Sequence, residues 1–194
     1  MAACADRALA ALDEAGIQRA VVCGLSMGGY TALELWRRAP ERLLGMVLAN
    51  TRAVADTPEG AAGRRALADR LRTEGNVFVH EPPALLAEGA PAELQERVRS
   101  LIADQTSDAI AAALLGMAER IDSTPDLPGI DVPALVVTST GDRLISAEVS
   151  AEMADAIPGA RLEVIEGVGH LTNLEAQERF NAFLLEHLAA CGLG

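Results

Sequence analysis

Three short stretches of this chain carry residue types that could work together as nucleophile, base and carboxylate. The first, Gly24-Leu25-Ser26-Met27-Gly28, fits the pattern G-x-S-x-G. Between a strand and a helix, that pattern puts the serine on a sharp, strained bend with its hydroxyl exposed. Small residues at Gly24 and Gly28, with Gly29 beyond, let the two elements approach closely. The helix start offers the Met27 N–H where an oxyanion would form. A plain glycine-rich turn with a capping serine is the competing reading. A serine hydroxyl is a poor nucleophile without a base in hydrogen-bond reach. Of the three histidines, His170 in Gly167-Val168-Gly169-His170 is the candidate base. His80 reads as a solvated loop residue beside Pro82-Pro83. His187 reads as a surface residue favoured by a helix C-terminus. The base in turn needs a carboxylate to fix its tautomer. Asp142, in Thr140-Gly141-Asp142-Arg143, is placed for that, although an aspartate in a glycine turn is common.

The elements that must position these groups follow from the apolar pattern. Ala5, Leu9, Leu12 and Ala15 recur at helical spacing up to Gly16. Ala20 to Gly24 reads as a short buried strand that includes Cys23 as a small buried residue. A helix with Leu33, Leu35 and Trp36 follows and stops at Pro40, and Leu43 to Ala49 is a second strand. This alternation is that of a parallel sheet covered on both faces. From Thr51 to Asp126 only helical spacing is found (Leu94, Val98, Leu101; Ile110, Leu114, Met117, Ile121), so residues 51–126 read as a helical insertion. Strand patterning returns at Ala134 to Thr138. A helix over Ala147 to Ile157 and a strand over Leu162 to Ile165 follow. A last helix opens at Thr172-Asn173-Leu174-Glu175, whose Thr-x-x-Glu spacing fits a capping box, with Leu174, Phe180, Leu184 and Leu188 on its core face. Serine, acid and histidine thus each fall just past an expected strand. Loops at the carboxyl ends of parallel strands are where such sheets place their sites.

Composition narrows the partners. The chain has 194 residues, a net charge of −12 and no lysine, which argues against nucleic acid or an anionic membrane surface. No apolar run is long enough to span a bilayer, and the acidic and basic residues of Met1 to Gly16 do not form a secretion signal. Three scattered cysteines suggest a reducing, cytoplasmic setting and no metal site. No phosphate loop, H-E-x-x-H motif or dinucleotide fingerprint is present.

Together these residues resemble the α/β-hydrolase superfamily, along the whole chain. The likeness is nearest to bacterial enol-lactonase-like and cofactor-free haloperoxidase-like esterases. It is carried by Gly24-Leu25-Ser26-Met27-Gly28-Gly29-Tyr30, by Asp56-Thr57-Pro58-Glu59 and by Gly169-His170-Leu171-Thr172-Asn173-Leu174-Glu175. The resemblance implies a Ser26–Asp142–His170 triad, no cofactor and a small ester or lactone as substrate. It also implies that residues 51–126 form a helical cap on a core made of 1–50 and 127–194. Serine at position 26 argues against the aspartate-dependent dehalogenases of the superfamily. Two departures stand out: Asn50 where an acid is common, and Ser139 where a glycine is usual.

Family members also carry four strands and a helix ahead of the segment equivalent to Met1–Gly16. With them comes the loop, often His-Gly, that gives the second oxyanion-hole N–H. The chain is therefore expected to be the C-terminal part of the fold: a longer protein read from an internal methionine, a true fragment, or a unit whose edge another chain covers. Lack of one oxyanion donor costs on the order of 10² to 10³ in rate. The rival expectations are perhydrolase or C–C hydrolase chemistry on the same triad, or a non-catalytic remnant that dimerises through an exposed Ala20–Gly24 edge.

Overall fold

The computed structural model describes residues 1–193. Its first half runs α1 (Ala2–Glu14), β1 (Ala20–Leu25), α2 (Met27–Arg38) and β2 (Leu43–Ala49). Three helices follow with no strand between them: α3 (Pro58–Glu74), α4 (Ala92–Ala103) and α5 (Ser107–Ala118). The chain then returns to β3 (Ala134–Ser139), α6 (Ala147–Ala156), β4 (Arg161–Ile165), α7 (Thr172–Glu175) and α8 (Gln177–Ala190). The four strands pair in chain order and all are parallel, with Leu25 opposite Ala49, Ala49 opposite Val137 and Ser139 opposite Ile165. Every carboxyl end therefore reaches the same edge of the sheet.

The sheet is buried on both faces, which explains its continuous apolar strands. Residues alternate at period two. Met46, Leu48, Ala134 and Val136 face a cluster completed by Leu33, Leu35, Met153 and Ile157. Val47, Ala49, Leu135 and Val137 face the other side, toward Phe180 of α8. The helical insertion has a cluster of its own, in which Ala68 and Leu71 of α3 pack on Ala111 and Leu114 of α5. Thr57 caps α3 by accepting the Gly60 amide at 3.1 Å, with Pro58 in the first turn.

Three expectations fail here for packing reasons. Cys23 is exposed, because β1 is an edge strand paired on one side only among the described residues. His187 is buried, because Gly45 leaves room where α8 crosses the start of β2: a Cβ on Gly45 would sit 2.4 Å from Cys191 Sγ and 3.4 Å from His187 Nε2. Burial, and then the nearby Arg161 charge, lower the His187 pKa. Finally, the last helix is broken at Ala176 (φ −129°), and Thr172 caps nothing. His80, as expected, is an exposed loop residue.

The two stems of the insertion are laced together around Asp56, whose side chain is 3% exposed. Its carboxylate pairs with Arg52 and Arg64 at 2.6 Å and with Arg120 at 2.9 Å. Arg120 lies over the Tyr30 ring, 4.2 Å from its centroid, and donates to the Val54 carbonyl at 2.9 Å. The Ser123 amide adds a backbone bond to the Ala53 carbonyl at 3.0 Å. Burial alone would raise the Asp56 pKa, but hydrogen bonds and charge from Arg64 and Arg120 outweigh it and hold the carboxyl low. A carboxylate with a depressed folded pKa contributes stability above its unfolded pKa, about 4, and that contribution fades as pH falls through the folded value. Asp56→Asn removes the anion that, among the described residues, the three guanidinium groups share, and is expected to cost about 3 kcal/mol at pH 7. In denaturant titrations the gap from the parent protein should shrink below about pH 4; a gap that holds at pH 3 contradicts this account.

Candidate active site

Ser26 stands between β1 and α2 with φ 53° and ψ −115°, a backbone conformation that L-residues rarely adopt. What holds the bend is close backbone contact. A Cβ on Gly24 would lie 2.2 Å from the Gly28 carbonyl oxygen, and one on Gly29 would lie 2.4 Å from Thr51 Cγ2. Gly28 itself faces open space, so the approach depends on Gly24 and Gly29. The Ser26 amide donates to the Ala49 carbonyl at 2.9 Å, and its carbonyl accepts from Thr51 Oγ1 at 2.8 Å. The bend is thus tied to the end of β2. Ser26 caps no amide of α2. Met27 is the first residue of that helix, so its N–H has no partner within it.

Asp142 and His170 meet above β3. His170 Nδ1 lies 2.8 Å from Asp142 Oδ2, and the two side chains are 3% and 0% exposed. The other carboxylate oxygen accepts the amides of Leu144 at 2.8 Å and Ile145 at 3.1 Å. Burial pushes the Asp142 pKa up, but the hydrogen bond to His170 and those two amides more than reverse it, so the carboxyl is held low and stays ionised. Among the described residues no direct hydrogen bond joins the Ser26 hydroxyl to His170, whose side-chain partner is Asp142. Such bonds are often long without substrate.

The residue that joins the three loop ends is Asn50, which the sequence marked only as a departure. It follows β2 directly, is fully buried and has φ 44°. Its amide nitrogen donates to Asp142 Oδ2 at 3.0 Å and to Ser139 Oγ at 2.9 Å, and its carbonyl oxygen accepts from Thr172 Oγ1 at 2.7 Å. Ser139, the second departure, passes the chain on by donating to the Gly169 carbonyl at 2.7 Å. The two unusual residues are therefore partners in one network, spanning the ends of β2 and β3 and both sides of His170. An uncharged amide beside Asp142 avoids the like-charge repulsion that a second carboxylate would bring.

A parallel sheet with a serine on a strand-to-helix bend at its carboxyl edge, and an Asp–His pair beyond the next strands, defines a recognised class of α/β protein. The chain matches the alpha/beta hydrolase family over residues 2–183 and belongs to it. It is 37% identical to the thermophilic esterase from Thermogutta terrifontis, with a TM-score of 0.93 covering 96% of this chain and 71% of that one. The enol-lactonase from Burkholderia xenovorans is 31% identical, with a TM-score of 0.81 over 95% of this chain and 71% of the other. Among curated relatives, 3-oxoadipate enol-lactonase 2 of Acinetobacter baylyi is 29% identical over 179 residues, 89% of this chain. The chain spans 65% of that relative's length.

Asn50→Gly tolerates the positive φ but deletes the network, whereas Asn50→Ala deletes it and strains the backbone as well. We expect a loss of about 2 kcal/mol for the glycine variant, from polar groups left buried and unpaired, and about 1 kcal/mol more for alanine. Equilibrium unfolding of both measures this; equal midpoints for the two variants would exclude the strain component.

Proposed function

We propose that this chain carries the catalytic machinery of a serine hydrolase for small carboxylic esters or lactones. The observation that carries the reading is the buried Asp142–His170 pair at 2.8 Å, linked through Asn50 to the strand end on which the Ser26 bend rests. Similarity to an esterase and to enol-lactonases supports the substrate class.

In this reading Ser26 Oγ attacks the substrate carbonyl while the His170 Nε2 lone pair takes its proton. Asp142 accepts the Nδ1–H, fixing the tautomer and stabilising the imidazolium. The tetrahedral oxyanion receives the Met27 N–H. Collapse expels the alkoxide, which His170 protonates, leaving an acyl-serine. Water then attacks the acyl carbon with His170 again as base, and the acid leaves. Helices α3 to α5 act as the cap that selects the substrate.

Among the described residues the outer edge of β1 has no strand partner, and this favours a second reading. In it the chain pairs through Ala20–Gly24 with a second copy, as a binding module without turnover, since an open apolar edge invites strand addition. Light scattering after size exclusion separates monomer from dimer.

A fluorophosphonate probe is expected to label Ser26, as read by peptide mass. Ser26→Ala should abolish labelling. Asp142→Asn should slow ester turnover by roughly 10⁴-fold through the wrong histidine tautomer. A folded protein that takes up no probe, beside a labelled full-length relative, defeats the hydrolase reading.

A further inference from the structure

Glu175 does not serve the helix it was expected to cap. Its carboxylate turns away from Thr172 and holds two other backbone amides: Oε1 accepts from Gly169 N at 3.0 Å, and Oε2 accepts from Ala87 N at 3.0 Å. The first is the residue just before His170. The second lies in the irregular segment between α3 and α4, on the cap side. On the other flank of the histidine, the Leu171 amide donates to the Leu85 carbonyl of the same segment at 3.1 Å. The contact is so close that a Cβ on Gly169 would fall 2.4 Å from Ala87 N and 2.7 Å from Glu175 Oε1. The amides of Gly169 and Leu171, the residues on either side of His170, thus share a carboxylate with, or are bonded to, one stretch of the insertion.

That stretch is half-buried from Pro83 to Ala87 and exposed at Glu88 and Gly89. Cavities of about 320 and 460 Å³ adjoin it, one lined by Pro82, Leu86 and Val98, the other by Ala87, Leu94 and Leu174. Its Glu88–Arg143 ion pair, at 3.3 Å, joins side chains 86% and 52% exposed, a kind of pair that contributes little. Open clefts thus flank the segment, and its inner face is bonded through Leu85 and the Glu175 clip. We propose that Glu175 is a positioning residue that couples the Pro82–Gly89 segment to His170. When the segment is seated, the histidine is held at its station; when it lifts, the Leu171 amide loses the Leu85 carbonyl and Glu175, freed from Ala87, no longer ties Gly169 to the segment, so the imidazole loosens. The base is then fully set only beneath a closed cap. This rests on reading His170 as the base of a serine hydrolase.

The test compares this chain with Glu175→Ala, which loses both acceptors, and with Glu175→Gln, which keeps one oxygen acceptor and turns an NH₂ donor toward the other amide. Amide exchange by NMR, ring signals of His170 and the rate of fluorophosphonate labelling of Ser26 are read on each. We expect exchange at Ala87 and Gly169 to quicken together in Glu175→Ala while the amides of β3 keep their protection. Labelling should slow by roughly 10- to 100-fold, the scale of a misplacement of about 1 Å. Glu175→Gln should fall between the two. If Glu175→Ala does not fold, Glu175→Gln and Gly169→Ala, which keeps the carboxylate but pushes the segment off, carry the test. Unchanged exchange at Ala87, or faster exchange with His170 signals and labelling unaltered, overturns the coupling. Absence of labelling in the parent chain defeats the hydrolase reading instead, and the coupling is then judged on exchange and ring signals.

Discussion

A carboxylate stripped of water must be surrounded by donors or it will not stay ionised. Asp142 meets that demand with contacts from three directions: two amides of its own loop, the His170 ring and the Asn50 side chain. The three directions correspond to three different strand ends or loops, so the carboxylate is satisfied only when β2, β3 and β4 end in register. The four parallel strands supply that register, and their two-sided apolar packing keeps it rigid. The chemistry at this edge is thus inseparable from the core beneath it.

The other buried carboxylate shows how differently the same group can be used. Asp56 is ringed by guanidinium groups, which are always charged, and its work is to close the stems of the helical insertion. Around Asp142 the donors are amides and one imidazole. Amides stabilise the anion without adding charge. A guanidinium in place of Asn50 would neutralise Asp142 permanently. Neutral amides and one imidazole surround Asp142, whereas cationic donors surround Asp56 at the stems of the insertion.

Which parts of this were legible in the sequence follows from the range of the interactions. The strands announce themselves as short continuous apolar runs, and Ser26, Asp142 and His170 by falling just past expected strands. The helical character of residues 51–126 was equally readable, because it is a matter of spacing. Asn50 and Ser139 were visible only as oddities, since their meaning lies in each other, 89 residues apart. Glu175 misled, because its spacing from Thr172 fits a cap while its carboxylate serves loops brought near by tertiary packing. Cys23 and His187 misled for a related reason: an apolar strand can still be an edge, and a helix end can cross a glycine.

The strain at the site has a pattern of its own. Among the described residues, Ser26 and Asn50 are the two non-glycine positions with positive φ, and they follow neighbouring strands whose last residues, Leu25 and Ala49, lie opposite each other. A side chain in that region costs on the order of 1–2 kcal/mol. Neither strand end can relax alone. The Ser26 amide is held by Ala49, its carbonyl by Thr51, and the Asn50 amide by Val137. Thr51 in turn presses on Gly29 of the helix that Ser26 begins, and its carbonyl accepts the Ser150 hydroxyl of α6 at 3.0 Å. The two bends therefore brace one another across one pair of strands. Releasing either would swing its side chain away from the shared edge, which is why strain here persists: it is the geometry that keeps a serine hydroxyl and a buried amide network on adjacent strand ends.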